Sequence, residues 1–127
     1  MTAPLVFTLP LPVNLGNDRS HWAAKHRAKK SYWQALDAGV TFKRLPRAPQ
    51  RPFPRARLDV AMYHTHDTDR DNREARLKWV LDWLTSRGYL VDDADAHLER
   101  GEIAVHRCRT IPERRLVLTL TPMAEAA

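Results

Sequence analysis

Residues 57–88 read RLDVAMYHTHDTDRDNREARLKWVLDWLTSRG and contain a short alternating run followed by a longer run of helical spacing. In the first part, Leu58, Val60 and Met62 alternate with residues of mixed polarity. Successive side chains of an extended chain point to opposite faces, so these three share one side. The pattern predicts a strand over 57–63 with one buried face.

The second part predicts a helix from Asn72 to about Arg87, with Asn72 or Asp71 as its N-cap and Gly88 as its stop. At 100° per residue this helix has two apolar faces. One comprises Leu77, Val80, Leu81 and Leu84, and the other comprises Ala75, Trp79 and Trp83. A helix that is apolar on both sides must be covered twice. The first face suits a sheet. We expect the second face to be covered either by the first helix of this chain or by a second copy of the chain.

Outside this unit, the proline-flanked run Leu5–Leu9 predicts a first strand, and a helical stripe begins near Ser20. Residues 44–57 hold several prolines and arginines and predict an extended basic loop. Two alternating runs, 102–109 and 115–121, flank TIPER and predict a hairpin. The order predicts one α/β (α+β) domain over 1–127. Its expected core is a small mixed sheet of about four strands, covered on one face by two main helices.

Charge is divided unevenly along the chain, which has a net charge of +6 and a pI near 10.0. Residues 19–57 contain 11 Lys and Arg against one acid, Asp37, whereas residues 66–102 contain 10 Asp and Glu against six Lys and Arg. A basic half predicts a polyanionic partner, and DNA is the natural one. The cations expected to contact phosphates are Arg19, Lys25, Arg27, Lys29 and Lys30.

Targeting and redox signals are few. No apolar run approaches the roughly 20 residues of a membrane helix, and the first residues make a poor secretory signal, so the expected location is the cytoplasm. The single cysteine, Cys108, lies in a strand-like run. It provides neither a disulfide nor a cysteine zinc framework within one chain, and its expected role is structural.

The acidic run DTDRDN directly follows the predicted strand. In an extended segment, the carboxylates of Asp69 and Asp71 would point together and repel each other unless a cation lay between them. Mg²⁺ or Mn²⁺ prefers such oxygen ligands. A third ligand could come from the later run VDDAD only if the chain folds back. A competing hypothesis places zinc or another transition metal on His64 and His66.

Several motifs together resemble the RusA family of Holliday junction resolvases, known from bacteria and their phages. They are D-x-D-N at 69–72, Lys78, D-x-L at 82–84, Gly88 and the pair Asp92-Asp93. The opening LPLPVNLGNDRSHW at 9–22 is also similar to that family. The resemblance extends from about Leu5 to the last strand.

The resemblance implies a homodimeric crossover junction endodeoxyribonuclease that acts in DNA recombination and repair. Such enzymes bind four-way junctions and nick two opposed strands with Mg²⁺ held by three aspartates. Carried over by position, the aspartates are Asp69, Asp71 and Asp93, and the catalytic lysine is Lys78. The spacing from the motif to this lysine is three residues longer than in the founding member, so Arg76 is the alternative cation.

The sequence leaves a second function open. A non-catalytic module that binds branched DNA or RNA would explain the basic half, and its acids would then be only structural. Cleavage of a four-way junction that requires Mg²⁺ would separate the two hypotheses.

Overall fold

The computed structural model describes residues 3–12, 22–65 and 70–124, apart from the side chains of residues 22, 70–73 and 75. The described part forms a four-stranded mixed sheet with two helices, which confirms the predicted fold class. The elements are β1 (Leu5–Leu9), α1 (Trp22–Thr41), β2 (Ala56–His64), α2 (Arg70–Ser86), β3 (Leu98–Arg107), a 3₁₀ turn (Ile111–Glu113) and β4 (Arg115–Pro122). Neither described helix is long and apolar enough to cross a membrane.

The strand order is β1-β4-β2-β3, so β2 lies between the last two strands. It pairs antiparallel with β4 and parallel with β3. The predicted hairpin of the last two strands is therefore wrong. Alternation reports which side of a strand is buried but not which strand lies beside it, and a parallel neighbour can be reached only through a long crossover. Helix α2 provides that crossover.

The β2–α2–β3 crossover determines which loops meet. Ala56 at the start of β2 pairs with Leu98 at the start of β3, and His64 pairs with Arg107 at their ends. Helix α2 follows the carboxyl end of β2 and returns the chain to the amino end. The α2–β3 connection accordingly lies beside the start of β2, where Phe53 forms a bridge with Leu90.

One face of the sheet forms the core together with the helices. Leu58, Val60 and Met62 are buried, as predicted. From α2, the residues buried against the core are Leu77, Val80, Leu81, Trp83 and Leu84. The residues that alternate with the buried ones in β2 are partly or fully exposed on the opposite face. A sheet with one solvated face is typical of small antiparallel and mixed sheets.

Helix α1 covers the second apolar face of α2. The indole nitrogen of Trp33 donates a hydrogen bond of 3.0 Å to the carbonyl of Trp79, and the ring of Tyr32 lies 6.2 Å from the Trp79 ring. Trp83 is fully buried. The first of the two predicted covers is confirmed, so this face gives no support to a second copy of the chain.

Asp37 of α1 joins the two helices near the end of α2. Its carboxylate accepts a 2.9 Å hydrogen bond from the indole nitrogen of Trp83 and two 2.9 Å bonds from the guanidinium of Arg87. The hydrogen bond from Arg87 is the main reason why the pKa of Asp37 lies below its usual value. One acceptor thus serves both a buried donor and a surface cation.

The two predicted ends of α2 have different outcomes. Asp71 and Asn72 lie inside the helix, so neither is its N-cap, and that prediction is wrong. Gly88 does end the helix: its φ is 82°, and the N–H groups of Gly88 and Tyr89 return to the carbonyls of Thr85 and Leu84. This pair of bonds is a Schellman motif, in which the left-handed residue is usually glycine.

Candidate nucleic-acid site at the carboxyl end of the central strand

Four segments meet where β2 ends. Leu116 of β4 pairs with both Leu9 and Met62, so β1 and β2 end at the same edge of the sheet. The chain after β1, the first turns of α2 and the segment before β4 all reach this edge. Their polar side chains form the strand-end cluster, which consists of His64, Thr65, Arg76 and Arg114.

Arg76 is the half-buried centre of the strand-end cluster. One terminal nitrogen, Nη1, donates to the carbonyl of Pro12, and Nη2 lies 3.3 Å from Nε2 of His64. A guanidinium cannot accept a hydrogen bond, so this contact requires an unprotonated Nε2 on the buried His64. Nε of Arg76 is buried and has no hydrogen-bond partner. The guanidinium is thus fixed in orientation while one of its donors is unused.

Arg114 brings a second guanidinium to the same edge. Its Nε donates to the hydroxyl of Thr65 at 2.9 Å, and Nη2 also contacts that hydroxyl. Burial, and then the positive charge of Arg114, lower the pKa of Arg76. Among the described residues, no carboxylate forms an ion pair with either arginine. Two nearby cations without an anion between them favour the binding of an anionic group such as a phosphate.

The acidic run is joined to this edge by the chain but is only partly described. Asp69 and His66 lie outside the described residues, and for Asp71 the structure gives the backbone alone. Residue 71 is helical, so the argument that an extended chain turns Asp69 and Asp71 to one point does not apply. The metal roles assigned to these aspartates stay predictions.

Asp93 lies at the other end of the sheet. It is exposed in the α2–β3 connection, and its N–H bonds to the carboxylate of Asp92 at 2.8 Å. Two backbone hydrogen bonds hold this connection beside the amino end of β2. The N–H of Val91 donates to the carbonyl of Phe53, and the N–H of Ala56 donates to the carbonyl of His97. The nine residues of β2 extend over about 26 Å. Within one copy of the chain, a single ion therefore cannot contact both Asp93 and residue 71.

The structure distinguishes the two cations considered on α2. Lys78 is exposed and forms no hydrogen bond or ion pair with another described residue. Asp82, its potential partner one turn later, instead pairs with Lys29 of α1 at 3.3 Å. Arg76, the alternative, lies in the strand-end cluster. Of the two cations, Arg76 is thus the one that lies at the end of β2.

The predicted phosphate contacts on α1 are not equivalent. Arg27 and Lys30 are exposed, whereas Lys25 is half-buried. Lys29 pairs with Asp82 and also lies 5.0 Å from the ring of Trp33. Arg19 lies outside the described residues. Arg27 and Lys30 are therefore the most exposed of the described members of the predicted set.

The described residues contain no group of three histidine, cysteine or acidic side chains able to hold a metal ion. The zinc hypothesis depends on His66, which lies outside the described residues; in the described part, Nε2 of His64 faces the guanidinium of Arg76. A zinc ion on that nitrogen would displace the arginine and lie beside a positive charge. Cys108 is buried and free, as expected for a structural residue.

Sequence reasoning missed Arg114 and Thr65. They are 49 residues apart and meet only because β4 lies next to β2. No local spacing signals such a contact, and Arg114 stood in a segment interpreted as a turn. No protein-family model matches this chain, and no curated protein matches it.

Proposed function

We propose that the protein binds branched DNA at the strand-end cluster and cleaves it with Mg²⁺, as a crossover junction endodeoxyribonuclease of the RusA kind. The observation that supports this proposal is the pair of guanidinium groups, Arg76 and Arg114, at the strand end that leads directly into the acidic run. Metal-assisted phosphodiester hydrolysis uses a phosphate held by cations next to acids that hold the metal.

Among the described residues, Arg76 and Arg114 are the side chains that would hold the phosphate. Arg76 is fixed by Pro12 and His64, so little side-chain freedom is lost when it binds a phosphate oxygen. Its half-buried position strengthens its electrostatic effect on charge that builds up during bond cleavage. Arg114, oriented by Thr65, provides a second cation for the same group or for the next phosphate.

Asp69 and Asp71 are the residues that would hold Mg²⁺ or Mn²⁺. The ion supplies Lewis-acid polarisation of the phosphate and a more acidic bound water. Asp93 takes part in the same site only if a second copy of the chain brings it there, because its own copy holds it at the opposite edge of the sheet. The homodimer and the third aspartate are therefore linked predictions.

The first experiment incubates the protein with a labelled synthetic four-way junction, with and without Mg²⁺. We expect paired nicks that require the ion. Asp71→Asn should abolish cleavage while junction binding stays intact, because a carboxylate is lost only from the metal site. Loss of binding with retained cleavage would refute this assignment.

A matched pair of cation variants on α2 tests which side chain acts. Arg76→Gln should reduce the cleavage rate about 10²-fold or more, as expected for loss of a transition-state cation. Lys78→Gln removes the same charge from the exposed face and should leave the rate within a factor of about three. A larger loss of cleavage rate in Lys78→Gln than in Arg76→Gln would instead assign the role of the catalytic cation to Lys78. Circular dichroism of both variants controls for folding.

A mixing experiment tests the position of Asp93. Asp71→Asn and Asp93→Asn are each expected to be inactive if a site combines residues of two copies. A mixture of the two would then regain part of the activity, because some mixed dimers contain one intact site. If Asp93→Asn alone cleaves normally, Asp93 does not belong to the site.

The separation of Asp93 from the acidic run specifically favours the second function, a non-catalytic module for branched DNA. Such a module would shift a four-way junction in a gel but would not nick it with Mg²⁺, Mn²⁺ or Zn²⁺. Its binding would still be strongly salt-dependent, because phosphate contacts release counterions. If the protein binds the junction but does not cleave it with any of the three ions, it is a DNA-binding module and the nuclease proposal is rejected.

A further inference from the structure

The solvated face of the sheet carries a row of three stacked side chains, here called the face stack. Tyr63 lies in the middle, on β2, with the imidazole of His106 on one side at 4.9 Å and 23° between the rings. On its other side, the guanidinium carbon of Arg115 lies 3.8 Å from the ring centre. The three residues belong to adjacent strands, β3, β2 and β4, and they are direct partners in the sheet.

The face stack is fixed at one end and open at the other. Arg115 is held by a 2.8 Å hydrogen bond from Nη1 to the carbonyl of Glu113. His106 is exposed and belongs to β3, which is an edge strand of the sheet. One face of its ring contacts Tyr63, and within residues 3–12, 22–65 and 70–124 no strand lies beyond the other. The row therefore ends in a flat aromatic surface that can accept one more ring.

The charge around the face stack identifies the chemistry of that ring. Arg109 is exposed shortly after His106, and Arg114 and Arg115 lie at the same end of the sheet; Arg107, although exposed, leaves β3 on the face opposite to His106. Among the described residues of the segment between β3 and β4, the acidic residue is Glu113, and its carboxylate accepts hydrogen bonds from Thr110. A flat ring carried on an anionic backbone satisfies both features, and a nucleobase with its flanking phosphates is such a group.

We infer that an unpaired nucleobase of the bound DNA stacks on the open face of His106 and extends the row His106–Tyr63–Arg115. The inference builds on the proposed function, since it names how the same end of the sheet holds a strand that is not fully paired. Branched DNA offers such bases where its arms meet. A second copy of the chain fits poorly here, because two identical faces would bring arginines against arginines.

The test uses a short single-stranded oligonucleotide with one 2-aminopurine, whose fluorescence falls when the base is stacked. It is carried out without divalent cations, so that cleavage plays no part. The wild-type protein should quench the probe on binding. His106→Ala should weaken binding about 5- to 100-fold, the range of one lost base stack, and should abolish the quenching. His106→Phe keeps a flat ring and should retain both.

His106→Leu is the matched control for size, because it fills a similar volume without a flat ring, and it should behave as the alanine variant does. Equal binding and quenching by wild type and His106→Ala would overturn the inference. A change in oligomeric state on His106→Ala, measured by sedimentation, would also overturn it by assigning the face to a second copy.

The outcomes separate this inference from the proposed nuclease. If the wild type nicks four-way junctions and His106→Ala binds the probe equally well, the nuclease stands and the stack is refuted. If the wild type nicks no DNA but His106→Ala loses the quenched complex, the stack stands and the nuclease is refuted.

Discussion

Replacing Asp37 by alanine tests how the two helices are held together. The change removes the acceptor of the Trp83 indole N–H, and that side chain is fully buried. A buried donor left without a partner costs roughly 1–3 kcal/mol. The two bonds to Arg87 are also lost, but both side chains are more than a third exposed, so this pair adds only about 0.2–1 kcal/mol.

Water limits the loss of stability. A cavity of about 270 Å³ is lined by Asp37, Trp83, Arg87 and Tyr89 among others, so a water molecule can approach the unpaired indole N–H. We therefore expect the free energy of unfolding to fall by about 2 kcal/mol, near the middle of the combined range. For a chain of 127 residues this corresponds to a fall of roughly 6–10 °C in the melting temperature.

The assay is urea unfolding followed by far-UV circular dichroism, with Asp37→Asn as the matched control. Asparagine keeps an oxygen for the indole N–H and loses only the charge, so it should lose less than about 1 kcal/mol. If alanine and asparagine destabilise the protein equally, the buried indole N–H is not what Asp37 stabilises, and the reasoning is refuted.

Three further perturbations have expected outcomes from the same contacts. Arg87 lowers the pKa of Asp37 in the folded protein. The negative charge of Asp37 therefore stabilises the fold above the ordinary Asp pKa of about 3.9, and this stabilisation is lost as the pH falls through the lower pKa of the folded state. The stability difference between wild type and Asp37→Asn should thus narrow below about pH 4; a constant difference from pH 7 to pH 3 would contradict this. Gly88→Ala should cost about 1 kcal/mol in urea unfolding from its positive φ alone, because no atom lies within 4 Å of the added Cβ, and Gly88→Asn should cost less. Trp33→Phe removes the hydrogen bond to the Trp79 carbonyl and should cost about 1 kcal/mol in the same assay; an unchanged midpoint would show that the bond contributes nothing net.

Local patterns predicted those features that depend on a few neighbouring residues. The alternation of Leu58, Val60 and Met62 correctly identified the buried side of the central strand. The glycine stop at Gly88 was also predicted, because the left-handed conformation at a helix end strongly favours glycine. The start of α2 was predicted less well. Aspartate and asparagine favour N-caps on average, but here Asp71 and Asn72 lie inside the helix.

The site depends on contacts that no local pattern reports. The family resemblance implies that Asp93 joins the aspartates of the acidic run in one ligand set, yet the parallel crossover through α2 separates Asp93 from residue 71 by about the length of β2. Conversely, Arg76 and Arg114 are 38 positions apart in the sequence and are brought to one edge because β4 lies beside β2. His64 was named only in the competing zinc hypothesis, and in the structure its Nε2 contacts the guanidinium of Arg76, a contact that no local pattern indicated.

The sequence by itself determined the order of the elements, the buried side of the central strand and the division into basic and acidic halves. These features follow from the periodicity and charge of short segments, which act before any distant contact forms. Only the tertiary structure decided which strands are neighbours, and with them the strand-end cluster, the face stack and the distance of Asp93. Strand order reflects a choice among partners far apart in the chain, and the periodicity of one strand contains no information about that choice.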